Sequence, residues 1–99
     1  MSTNGMRPVH PGEILREDFL EPLGMSVNTL SGELHVPASR LNDIALERRG
    51  VTPDTALRLA RYFGTSERFW LNLQVEHDLR RAQMELGDRV QREVEPRTA

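Results

Sequence analysis

A chain of 99 residues has room for one hydrophobic core and not for two, because a globule of that size buries roughly 60 to 70 per cent of its unfolded surface. With no cysteine there is no disulfide framework, thiolate metal site or cysteine nucleophile, which suits a cytoplasmic setting; no apolar run nears the about 20 residues that cross a bilayer, and Met1 to Met6 lack the apolar stretch of a secretory signal. The formal charge of -2 excludes a general nucleic-acid coat, which needs a large basic excess to displace phosphate counterions.

Residues 1–10 read as an N-terminal arm and residues 11–86 as the domain proper. Helix punctuation runs through the domain, and no period-two alternation bounded by turns interrupts it, so an all-α fold of five helices without a sheet is expected. The first helix starts at Pro11, where a missing N–H costs nothing, turns Ile14, Leu15, Phe19 and Leu20 inward, and ends at Pro22 and Gly24. Ser26 caps a second helix of about two turns, with Val27, Leu30 and Leu34 at helical spacing and Ser31 small enough for another helix to approach. Gly32 costs that helix about 0.8 to 1 kcal/mol relative to Ala, so packing must hold it.

Pro37, at a first helical position, opens a third helix that buries Leu41 and Ile44 and turns Ser39, Arg40, Asn42 and Asp43 outward. Thr52 and Pro53 start a fourth, whose core stripe is Ala56, Leu57, Leu59, Ala60 and Phe63 before Gly64 stops it. Ser66 caps a fifth, with Phe69, Trp70, Leu73 and Leu79 on broadly one side. Beyond Gly87 the pattern fades into charges and Pro96, and residues 87–99 read as a short C-terminal extension without assigned structure.

Helices two and three are separated only by about Leu34 to Pro37, the geometry of a helix-turn-helix whose second helix enters the major groove of DNA. His35 stands at the turn, where a positive backbone angle is expected and where His is better tolerated than a branched residue. Arg40 carries a fork that matches the two guanine acceptors or a phosphate, Ser39 and Asn42 offer shorter donors and acceptors, and Asp43 either accepts from cytosine or orients Arg40. Arg48 and Arg49 follow as phosphate clamps. The competing reading of all six is a solvated surface.

Charge distribution favours DNA on this part of the chain. Residues 36–68 hold six arginines against Asp43, Glu47, Asp54 and Glu67, whereas residues 1–35 hold two against Glu13, Glu17, Asp18, Glu21 and Glu33.

Residues 26–50, SVNTLSGELHVPASRLNDIALERRG, resemble the helix-turn-helix of Cro/C1-type repressors. With RPVHPGEILREDFLEPLG at 7–24 and TPDTALRLARYFGTSERFWLNLQ at 52–74, about two-thirds of the chain is similar to HigA-type antitoxins of toxin-antitoxin modules. The resemblance implies a homodimer that binds operator DNA, represses its own operon and neutralises a HigB-type, ribosome-dependent mRNA-cleaving toxin. Val27 departs from the pattern, standing where many such repressors place a phosphate-touching Gln, which passes that contact to Asn28 or Thr29. The resemblance also implies a twin-subunit seam on the fifth helix, with Phe69, Trp70, Leu73 and Leu79 as its candidates.

An RNA-cleaving partner must grip phosphates and is therefore basic, which makes Glu13, Glu17, Asp18 and Glu21 the candidate toxin-binding surface; the alternative is a helix whose early acids only complement its dipole. His10, His35, His77 and Glu13 lack the spacing of a metal site, and no phosphate loop or nucleophile elbow appears, so neither a metal, a cofactor nor an enzyme is expected. Two other readings stay open: a stand-alone transcriptional regulator without a toxin, and a protein-interaction module that has lost DNA binding.

Overall fold

A computed structural model describes residues 7–98, and among them every regular element is a helix. The first helix, α1, begins as α-helix over Pro11–Ile14, widens into a π-helical stretch over Leu15–Leu20 and closes with a turn over Glu21–Leu23. Pro22 explains the widening. It has no N–H to return to the fourth residue back, and its ring crowds that carbonyl, so the Glu21 N–H reaches five residues back to the Arg16 carbonyl. Gly24, in the left-handed region at φ 61°, ends the helix as expected.

Four helices follow: α2 over Val27–Leu34, α3 over Ala38–Ala45, α4 over Pro53–Phe63 and α5 over Glu67–Glu93. The Ser26 and Ser66 hydroxyls accept from the Thr29 and Phe69 N–H groups, so both serine caps form. Thr52 occupies the cap position of α4 without accepting from the helix backbone, its hydroxyl donating instead to the Thr55 hydroxyl at 3.5 Å. Pro37 lies one residue earlier than expected, in extended backbone at the N-cap, and Ala38 is the first helical residue.

The core is the junction of all five helices. Leu15, Leu30, Leu41, Ile44, Leu59 and Trp70 are fully buried there, and Phe19, Phe63 and Leu73 pack against them. Two expectations fail on burial. Leu57 is 56% exposed and leaves the α4 stripe, because the helix turns Thr55, Ala56, Leu59 and Ala60 inward. Trp70, offered above for a twin-subunit seam, is 0% exposed and belongs to the domain's own core, with its indole N–H donating to Thr65 at 2.8 Å.

The boundary at Gly87 also moves. Helix α5 runs through it to Glu93, supported by helix-forming residues and by the i,i+4 pairs Arg81–Glu85 and Arg89–Glu93. Residues 1–6 of the expected arm lie outside the described residues. The rest of the arm is anchored: His10 is buried, and its Nδ1 caps α1 by accepting from the Gly12 N–H at 2.8 Å.

Candidate nucleic-acid interface

Helix α3 presents the surface, and its setting begins with two turns in left-handed backbone. His35 ends α2 at φ 59°, and the Val36 N–H reaches back to the Ser31 carbonyl at 3.1 Å, closing the tight turn that aims α3. Glu47 repeats the device after α3 at φ 65°, with the Arg48 N–H on the Asp43 carbonyl at 2.7 Å. Neither residue is glycine, so both turns carry backbone strain that the surrounding contacts must hold. Sequence reading found the first turn and missed the second.

Two side chains from other helices fasten these turns, and a third holds the segment that follows α3. Arg16 of α1 donates to the Ala45 carbonyl and pairs with Glu47 at 3.5 Å, placing a cation at the negative end of α3. Arg58 of α4 donates to the Leu34 carbonyl at 2.8 Å and so caps α2. Gln74 of α5 accepts the Val51 N–H at 2.8 Å and fixes the strand of chain between α3 and α4. The sequence shows these three only as polar residues on helix faces, because each acts on an element distant in the chain.

On the outer face of α3, Ser39 and Asn42 are exposed, as are Asn28 and Thr29 at the start of α2. Arg40 is half-buried and paired with Asp54 at 2.8 Å. Asp54 also accepts from Arg58, and the two guanidinium groups, Arg58 before Arg40, hold its carboxyl below the usual range. The structure therefore assigns the orientation of Arg40 to Asp54 and not to Asp43. Asp43 is turned instead toward Arg48 at 3.0 Å and Arg49 at 3.7 Å, tying the two expected phosphate clamps to the end of α3. Among the described residues no cluster of His, Cys, Asp and Glu has the form of a metal site.

The expected partner surfaces lie elsewhere. Glu13 is paired with Arg7 at 2.8 Å, which lowers its pKa, and Glu17 with Arg16 at 3.3 Å; Asp18 and Glu21 are exposed. On α5, Phe69 is partly exposed but edge-on to Trp70, Leu73 is half-buried, and Leu79 is open to solvent with Val75, Leu86 and Val90 along the same helix.

Comparison with known proteins places this arrangement. A helix-turn-helix family profile matches residues 17–70. The antitoxin HigA of Pseudomonas aeruginosa, solved with the higBA promoter, superposes with a TM-score of 0.90 at 47% identity, over 93% of this chain and 100% of that one. The chain belongs to the HigA-type helix-turn-helix family. A second structure, the antitoxin GraA in complex with its operator, is covered over 100% of both chains at a TM-score of 0.90 and 45% identity. The virulence-associated protein I of Dichelobacter nodosus is 52% identical over 82 residues, spanning 83% of this chain and 76% of its relative. The HigA likeness thus reaches α1 and α5, well beyond the helix-turn-helix itself.

Proposed function

We propose that this chain is a cytoplasmic antitoxin that represses its own operon, acting as a homodimer on operator DNA and neutralising a HigB-type, mRNA-cleaving toxin. It is a binder and not a catalyst. The observation that carries this reading is α3: a short helix set between two fastened turns, with Ser39 and Asn42 free to meet base edges, in a fold shared end to end with an antitoxin held on its operator. Arg40 exchanges Asp54 for guanine or phosphate on binding, while Arg48, Arg49, Asn28 and Thr29 hold the backbone to either side. No helix among the described residues is long and apolar enough to cross a membrane.

The exposed stripe Val75, Leu79, Leu86 and Val90 on α5 supplies the twin-subunit seam, with Phe69 and Leu73 at its inner end. Steps of four and seven residues keep these four side chains on one helix face, where a second copy buries them.

A mobility-shift titration on the chain's own promoter at graded salt, paired with co-expression of the neighbouring reading frame, tests the whole reading. The expected result is a salt-sensitive shift together with growth rescue and co-purification of a basic partner. A shift without rescue makes the chain a stand-alone regulator. The absence of a shift removes DNA from its function.

A further inference from the structure

An open groove of about 590 Å³ lies between the end of α1 and the end of α4, lined by Asp18, Phe19, Leu23, Met25, Tyr62 and Phe63. Its floor is rigid. The Phe19 ring lies 4.7 Å from Phe63 and 5.1 Å from the fully buried Trp70, so the aromatic surface is fixed before any partner arrives. Its wall is open, with Leu23 58% and Tyr62 39% exposed. Such a preformed apolar floor beside an exposed tyrosine is the make-up of a protein-binding centre, where a few aromatic anchors carry most of the affinity.

The rim decides the occupant. Asp18 stands on the groove and Glu21 one turn along α1, both exposed, and among the described residues neither makes an ion pair. Two acids at the edge repel phosphate, so the groove does not extend the DNA surface, and no residue of α3 lines it. They suit a partner that brings basic side chains around an apolar insert.

We infer that this groove, rather than the acidic face of α1 alone, is where the chain docks its basic toxin, the apolar floor supplying residence and Asp18 and Glu21 supplying attraction. The inference rests on the antitoxin reading above and assigns its contact surface. Glu13 and Glu17 take a smaller part, being already neutralised by Arg7 and Arg16.

The test uses the full chain and the purified product of the adjacent reading frame. Leu23→Arg and Tyr62→Ala change exposed side chains, and each is expected to weaken toxin affinity by at least about tenfold, while operator affinity, helicity and dimer content stay at wild-type values. Asp18→Lys combined with Glu21→Lys is expected to slow association, most at low salt. If wild type binds no such partner, the antitoxin reading fails and the inference with it. If wild type binds and both groove variants bind equally well, the groove is overturned while the antitoxin reading stands. If the variants lose dimer content instead, the groove is a surface for a second copy, and the assignment to the toxin is equally overturned.

Discussion

Gly12, in the first turn of α1, lies so close to the backbone carbonyl of Ile44 in α3 that a Cβ on it would collide with that oxygen. The obstacle is backbone and cannot swing aside, and it belongs to the helix proposed to read DNA. Gly12→Ala is therefore expected to displace α1 from α3 and to destabilise the fold by about 1 to 3 kcal/mol, as overpacking does. Gly32 meets nothing within 4 Å in α2, so Gly32→Ala is expected to stabilise by about 0.5 to 1 kcal/mol through helix propensity. Urea denaturation of both variants checks the contrast, and equal effects at the two sites would show that the α1 to α3 contact carries no weight.

Arg40→Ala is expected to weaken operator binding by about 1 to 3 kcal/mol at matched salt. Its ion pair with Asp54 is more than a quarter exposed on both sides and contributes little to stability, so the melting temperature is expected to hold. Circular dichroism and a mobility-shift titration on the same sample separate the two quantities. Unchanged operator affinity takes Arg40 out of the interface.

His10 links stability to pH. Burial first, and the facing His77 ring 4.8 Å away second, lower its pKa from 6.5; Glu47 and Asp78 oppose this and Arg16 adds to it. Its Nδ1 must also stay unprotonated to accept from Gly12. The folded chain thus binds fewer protons than the unfolded one below 6.5, so this contribution is complete above that pH and is lost as pH falls toward the depressed folded value. His10→Asn keeps a cap acceptor that does not titrate. Comparing unfolding midpoints at about pH 7.5 and about pH 5.5, a window in which carboxylates stay ionised, is expected to show a smaller drop for the variant than for wild type. Parallel drops would assign the acid sensitivity to another group.

Trp70 and Leu79 share α5 but are expected to answer differently. Trp70→Ala empties a fully buried site and should cost about 3 to 5 kcal/mol of fold stability. Leu79→Arg alters a side chain 49% exposed and should leave the fold intact while lowering dimer content, and operator binding should weaken with it because two half-sites no longer share one assembly. Sedimentation together with thermal unfolding distinguishes the two. A wild-type chain that stays monomeric while it saturates its operator would rule out the seam.

Local chemistry determined much of this protein. Ser26, Ser66, Gly24 and Gly64 mark helix ends because capping and left-handed backbone are matters of a few neighbouring residues, and apolar spacing alone named Leu15, Leu30, Leu41, Ile44 and Leu59 as core. Residue type also singled out the outward face of α3. What only the tertiary structure decided is how those pieces bear on one another: that Arg40 rests on Asp54, that Arg16 and Arg58 close the turns around the helix-turn-helix, that Leu57 turns outward while Trp70 turns fully inward, and that Phe19, Leu23 and Tyr62 meet in one groove. Each depends on the crossing of two helices far apart in the chain, and a periodic pattern places a residue on a face without naming what the face will meet.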